Sequence, residues 1–252
     1  MEFIKKLWWK TKQWVFASTG SYRHSGERVC PDFPDQNFHD HLEVYRFVSQ
    51  FVHQKSVLDI GCGTGYGDHY LMTQGAHSVS GIDKSVDAIG YAKKKYPEEN
   101  LHFRVMDAQE LSHPDNSFDV VVSSENLEHL EDPEKNLSEI RRVLKEGGLL
   151  LLGTPNKEIA SPGVTSSPNP FHVREFTYEE LRTLVRARFR SVYIFENTAV
   201  SPSPVGQSMK EERLQRGEVG IEPGNGRSVQ LETLTIDLTH LKNTHSFMVV
   251  AW

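Results

Sequence analysis

The sequence is short of the features that mark several protein classes, and each shortage removes one. Only two cysteines, Cys30 and Cys62, stand in 252 residues, which supplies no disulfide framework and points to a reducing compartment. No apolar run reaches the roughly 20 residues needed to span a bilayer. Basic excess is missing too: the net charge of −6 argues against a general nucleic-acid binder. No glycine is followed by Lys-Ser/Thr, so there is no phosphate-cradling Walker loop. No repeat or low-complexity tract breaks the chain. What remains is 37% hydrophobic and 25% charged, the balance of a soluble domain long enough for one substantial core plus insertions.

The most informative stretch is Val57-Leu58-Asp59-Ile60-Gly61-Cys62-Gly63-Thr64-Gly65-Tyr66-Gly67. An apolar run enters it, glycines alternate through it, and an amphipathic pattern from Asp68 to Gln74 leaves it. That order predicts a buried strand, a tight turn and a helix, with glycine permitting positive φ and close ligand approach. A dinucleotide loop wants a small residue three positions after its second glycine, and Tyr66 or Asp68 stands there instead. Asp59 at the mouth of the turn would repel a pyrophosphate and attract a sulfonium. Ser78–Asp83 reads as a second strand ending in an acid, 24 residues after Asp59, about where a βαβ unit places a carboxylate that can accept from both ribose hydroxyls. Ser85–Tyr96 reads as a helix N-capped by Ser85.

Further strands are predicted at Leu101–Met106, Phe118–Ser124, Leu149–Asn156, Arg190–Glu196 and His245–Trp252, and helices at His39–Val52, Pro133–Leu144 and Thr177–Arg188. Lys145-Glu146-Gly147-Gly148 is expected to close the Pro133 helix with a glycine cap. Residues 197–243 read as a polar insertion, with a short charged helix at Ser208–Arg216.

Between Val57 and Asn156 this succession resembles the class I S-adenosylmethionine-dependent methyltransferases, with the glycine stretch as their motif I. The resemblance implies an α/β, Rossmann-like fold: a seven-stranded, mostly parallel sheet with helices on both faces and an antiparallel strand seven between strands five and six. It implies that Asp59, Gly61, Cys62, Gly63 and Gly65 form the cofactor turn, although Cys62 by itself reads as a small structural residue. Asp83 and neighbouring Lys84 would meet the ribose. Asp107 and the Ala108 N–H would meet the adenine edge, although Asp107 also suits an N-cap. Ser124 would close the site at the end of strand four. The expected division is residues 1–55 as an amphipathic helix with a lid-like extension, and 56–252 as the methyltransferase domain.

Glu125, Glu128 and His129 stand at i, i+3 and i+4 and share a face if that turn is helical; two carboxylates and an imidazole there could ligate a divalent cation. His172 follows in Asn169-Pro170-Phe171-His172-Val173-Arg174-Glu175-Phe176. This pattern resembles the metal site of small-RNA 2′-O-methyltransferases and of ubiquinone-biosynthesis O-methyltransferases, which implies Glu125, Glu128, His129 and His172 as ligands of an ion such as Mg²⁺. The alternatives are metal-free transfer, with His129 as proton acceptor beside Glu128 and His172, and a purely structural role.

Gly26-Glu27-Arg28 and Asn-Pro-Phe-His resemble a bacterial subgroup that modifies sugars, glycans or nucleotide-sugars for surface polysaccharides. The function expected is O-methylation of a small hydroxylated acceptor. The alternatives are a quinone precursor as acceptor, or a non-catalytic binding module, against which the intact acids and glycines argue.

In Met1–Phe16, Phe3, Ile4, Leu7, Trp8, Thr11, Trp14 and Val15 share a helical face opposite Lys5, Lys6, Lys10 and Lys12. This suits either a membrane interface or packing on protein. It lacks the uninterrupted apolar core of a signal peptide. The expected location is the cytoplasm, with peripheral contact at the inner membrane surface through residues 1–16.

Overall fold

The computed structural model describes residues 28–164, 167–195, 228–231, 234–237 and 246–252. The helix expected at Met1–Phe16, Gly26 and Glu27 of the Gly-Glu-Arg motif, and the helix expected at Ser208–Arg216 lie outside these residues.

The first element is helix α1 (Gln36–Val48), capped by the Asp35 carboxylate on the Phe38 N–H and followed by a 3₁₀ turn at Ser49–Phe51. Strand β1 (Ser56–Ile60), helix α2 (Tyr66–Thr73), strand β2 (Ser78–Asp83), helix α3 (Val86–Lys95) and strand β3 (Leu101–Val105) follow. Ser85 caps α3 as its sequence predicts, accepting from the Ala88 N–H at 3.2 Å. Then come strand β4 (Phe118–Ser124), helix α4 (Pro133–Val143), strand β5 (Leu144–Pro155), the short helix α5 (Lys157–Ala160), helix α6 (Tyr178–Arg186) and strand β6 (Val192–Phe195). Strands β7 (Ser228–Leu231) and β8 (Leu234–Asp237) form a separate antiparallel hairpin inside the stretch expected to be an irregular insertion, and β9 (Ser246–Ala251) ends the chain.

The main sheet has the order β3-β2-β1-β4-β5-β9-β6. All pairs from β3 to β5 are parallel, and β9 runs antiparallel to both β5 and β6. This is the expected seven-stranded, mostly parallel sheet, with the last strand antiparallel between the fifth and sixth.

Strict alternation divides the core in two. Val57, Val120, Val122, Leu151 and Val250 face a cluster that includes Tyr45, Phe47 and Val48 of α1, Leu71 of α2 and Ile89 of α3. Leu58, Val121, Leu150, Leu152 and Val249 face Leu137 and Ile140 of α4 and Leu181 and Val185 of α6. Each such fully buried side chain contributes about 1.5–3 kcal/mol. Because α1 shares its core with the sheet, residues 36–48 are integral to the folded unit.

Two local expectations change. Lys145–Gly148 does not cap a helix: α4 stops at Val143, and the segment forms an irregular start to β5, where Phe118 pairs Leu144 but Val120 already pairs Leu149. Gly147 takes φ +70° there, and a Cβ on Gly148 would stand 3.1 Å from the Asp119 carbonyl oxygen. The glycines therefore serve a strand bulge and a close backbone approach. In α1 the apolar spacing of Leu42, Tyr45, Val48, Phe51 and Val52 predicts the buried stripe, but the helix buries Val44, Tyr45, Phe47 and Val48 and leaves Leu42 half-buried.

Among the described residues, no helix is long and apolar enough to cross a membrane.

Candidate active site

Open parallel sheets bind ligands beyond the carboxyl ends of their strands, where the strand order reverses. Here that point lies between β1 and β4, and a cavity of about 720 Å³ opens there. Its size is that of a small-molecule site.

The turn after β1 is built by positive φ at Gly61 (+81°), Gly63 (+54°) and Gly65 (+77°), the last forming the N-cap of α2. The Gly61 and Cys62 N–H groups both donate to the Ile82 carbonyl, at 2.8 and 3.0 Å, which ties the turn to the end of β2. Gly67 is required for packing: a Cβ would stand 2.0 Å from the Tyr45 ring. At Gly63, by contrast, no described residue other than its two chain neighbours comes within 4 Å of where a Cβ would be.

Gly61, Cys62, Gly63, Asp83, Lys84, Asp107, Ala108 and Ser124 all border the cavity. Asp83 accepts from the Gly63 N–H (3.0 Å) and the Ser85 N–H (2.7 Å), and Arg28 stands 3.6 Å from it. Val29, beside Arg28, takes a buried hydrogen bond from Thr64 through its carbonyl at 2.9 Å. The Arg28 end of the Gly-Glu-Arg motif is thus held against the glycine turn. Asp107 accepts from the Gln109 N–H at 2.8 Å with Lys84 3.4 Å away, and these contacts hold its carboxyl below the usual range, the Gln109 bond most of all.

Two expected cofactor residues stand back from the cavity wall. Gly65 acts as the helix cap. Asp59 is wholly buried, accepts from the Tyr45 hydroxyl at 2.7 Å, and is pushed up to about 7 by burial. Its Oδ1 has no hydrogen-bond partner.

The second half of the cavity lies beyond β4. Glu125 takes a left-handed backbone (φ +48°), a costly conformation for a non-glycine residue that marks functional turns. Its N–H donates to the Gly153 carbonyl at 2.9 Å. A 3₁₀ turn at Leu127–His129 follows. Glu125, Glu128 and His129 therefore do not share the face of one continuous helix, as the i, i+3, i+4 spacing predicted. Instead, Glu128, His129 and His172 each bring a possible ligand atom within 4.8 Å of one another. Glu125 borders the cavity outside that group.

Glu128 is completely buried, with Oε2 accepting from the Thr154 hydroxyl at 2.9 Å and Oε1 unpartnered. Burial first, and then the Glu125 charge, pushes its carboxyl well above the ordinary range. His129 directs Nδ1 to the Phe171 carbonyl at 2.9 Å, which makes Nδ1 the protonated nitrogen, and its Nε2 lies 3.8 Å from Glu128 Oε1. His172 stacks edge-on with its ring centroid 5.1 Å from that of His129.

Sequence reasoning missed several residues here. Asn37, His41 and Tyr45 of α1, and Phe171 and Val173 around His172, also border the cavity. Tyr45 sat in an apolar helical stripe and read as core. Glu175, buried and accepting from Ser161, Ser167 and His172, carried no signal beyond its place beside the Asn-Pro-Phe-His motif.

The residues present fit an adenosine-bearing sulfonium. Asp83, Asp107 and Ala108 line the cavity, and the Ser124 hydroxyl is buried in its wall with no hydrogen-bond partner among the described residues. The fold is that of the class I S-adenosylmethionine-dependent methyltransferases, and the sequence relatives support that recognition. A family model described as a methyltransferase domain matches residues 58–152.

The chain is 38% identical over 173 residues to a Mycobacterium tuberculosis protein described as a "probable S-adenosylmethionine-dependent methyltransferase", a match covering 67% of this chain and 61% of that protein. It is 33% identical over 105 residues to a ubiquinone biosynthesis O-methyltransferase of Coxiella burnetii, covering 41% of this chain and 44% of that one. The crystal structure of an S-adenosylmethionine-dependent methyltransferase from Mesorhizobium loti shares the fold, with a TM-score of 0.56 at 16% identity over 84% of this chain and 98% of that one.

Proposed function

We propose that the protein transfers a methyl group from S-adenosylmethionine to a hydroxyl of a small acceptor, with a sugar, glycan or nucleotide-sugar as the preferred class. The observation that carries this reading is the position of His129. One cavity is shared by the acids that suit the cofactor and by a histidine whose Nδ1 proton is committed to the Phe171 carbonyl. That commitment leaves the second ring nitrogen as the proton-accepting side.

Asp83, Asp107, Ala108, Ser124 and the Gly61–Gly63 backbone would hold the cofactor, which when bound supplies an electrophilic methyl. The chain's own part is to align the acceptor, exclude water and take the hydroxyl proton at His129 Nε2. Alignment supplies much of the rate, and general-base action typically adds 10²–10⁴-fold. His129→Ala should therefore lower turnover by about 10²-fold or more while S-adenosylhomocysteine still binds.

A divalent cation such as Mg²⁺ at Glu128, His129 and His172 is a second reading. It is favoured by the unpartnered, buried Glu128 Oε1, whose charge a cation would offset. Unchanged turnover after chelation excludes it.

A quinone precursor as acceptor draws support from the Coxiella relative. The amphipathic pattern of residues 1–16 supports peripheral contact with a membrane or a protein partner, as a lipid-linked glycan acceptor in a polysaccharide pathway would require. The deciding experiment is a screen of sugars, nucleotide-sugars and quinols for S-adenosylhomocysteine release. Turnover with amines and none with hydroxylated acceptors would overturn the O-methyl reading.

A further inference from the structure

Glu175 lies outside the cavity and outside every motif that defines the cofactor site, yet it is 5% exposed and gathers three donors. Ser161 donates to its Oε2, and Ser167 to its Oε1 at 2.5 Å. His172 Nδ1 stands 2.7 Å from Oε1. With three donors converging, Glu175 acts as an acceptor-only carboxylate.

From it a chain of hydrogen bonds runs to the catalytic side. His172 Nε2 is 2.9 Å from Asn169 Nδ2, Asn169 Oδ1 takes the Phe171 N–H at 3.1 Å, and the Phe171 carbonyl takes His129 Nδ1 at 2.9 Å.

The chemistry of each link fixes its direction. A carbonyl oxygen only accepts, so His129 Nδ1 must donate. Asn169 Oδ1 is claimed by a backbone N–H, so the Asn169 amide nitrogen faces His172, and an amide NH₂ only donates. His172 Nε2 must then accept, which places the ring proton of the neutral imidazole on Nδ1, where Glu175 Oε1 accepts it. Every donor therefore points toward the one buried carboxylate, an arrangement in which bonds polarise one another. The same loop is tied to the site through its backbone, because the Val173 and Arg174 N–H groups donate to the Glu128 carbonyl at 2.8 and 3.1 Å.

We propose that Glu175 is the positioning residue of this site: it fixes the tautomer of His172 and, through His172 and Asn169, holds the Phe171 carbonyl where it takes the His129 Nδ1 proton, which leaves the lone pair of His129 on Nε2. The proposal rests on the reading of His129 as the proton acceptor. It also assigns His172 to holding the loop, since both its ring nitrogens are engaged.

The test uses the whole protein labelled with ¹⁵N on its histidine rings, with tautomers read from ring-nitrogen spectra. In the wild type both His129 and His172 carry the proton on Nδ1. In Glu175→Gln, whose amide cannot accept from all three donors, His172 loses its single tautomer and the loosened loop withdraws the Phe171 carbonyl, so His129 gains the Nε2–H form. Asn169→Ala cuts the chain midway without touching the buried carboxylate, so it shifts His129 while His172 keeps Nδ1–H. Circular dichroism and calorimetric binding of S-adenosylhomocysteine report whether each variant is folded; if Glu175→Gln is not, Asn169→Ala decides. A wild-type His129 protonated on Nε2, or a folded Asn169→Ala with His129 unchanged, overturns the proposal. If the tautomers follow the scheme but His129→Ala still transfers methyl groups, the proton-acceptor reading falls and the positioning role stands.

Discussion

Asp59 illustrates how one residue's environment overrides its sequence reading. Its place before the glycine turn suggested a charge presented to a ligand. The folded chain instead buries it completely against the Tyr45 hydroxyl, and burial pushes its carboxyl from 3.8 up to about 7. A raised pKa means that the folded, cofactor-free protein binds a proton that the unfolded chain has lost. This contribution to stability is present in full below about pH 4 and disappears as the pH rises through about 7. Melting temperature against pH should fall across that window more steeply for the wild type than for Asp59→Asn, with a difference of up to about 1.4 kcal/mol per pH unit. Equal slopes would show that Asp59 is ionised in the free protein. Asp68, also raised by burial first and by Asp59 second, titrates in the same direction, so the comparison between the two proteins is the informative quantity.

At the scale of single elements, α2 and α6 owe their starts to different devices. Helix α2 begins at Gly65 in left-handed backbone and passes Gly67, where any side chain would enter the Tyr45 ring. Gly67→Ala should cost about 1–3 kcal/mol by overpacking and weaken S-adenosylhomocysteine binding, read by denaturant melts and calorimetry. Helix α6 begins at a capping box in which Thr177 and Glu180 satisfy each other's backbone N–H groups. Thr177→Ala should cost about 1 kcal/mol in the same melts.

Local patterns revealed both helices, because caps and periodicity are written within a few residues. The break between Glu125 and the 3₁₀ turn was not legible, since spacing shows which residues would share a helical face but not that the chain is helical there. The Gly147-Gly148 pair misled for a similar reason: glycine suits a helix cap, a bulge and a close approach alike, and only the pairing of β5 with β4 selects among them.

For the whole molecule, the sheet order places the glycine turn of β1 beside the end of β4, so Asp83, Asp107 and the histidine pair face one cavity. A ligand that binds only the native state adds about 2.7 kcal/mol at a hundredfold excess over its Kd. S-adenosylhomocysteine at that excess should raise the melting temperature accordingly, and no shift would count against the cavity as the cofactor site.

Strand alternation, helix periodicity, the glycine turn and the acids after β2 and β3 all follow from short-range pattern, which is why the sheet and the family could be read from the chain alone. The burial of Asp59, the separation of Glu125 from Glu128 and His129, and the run of hydrogen bonds from Glu175 to His129 belong to the tertiary structure. Each depends on residues far apart in sequence meeting in space, and on the desolvation that follows, and neither is encoded in any local spacing.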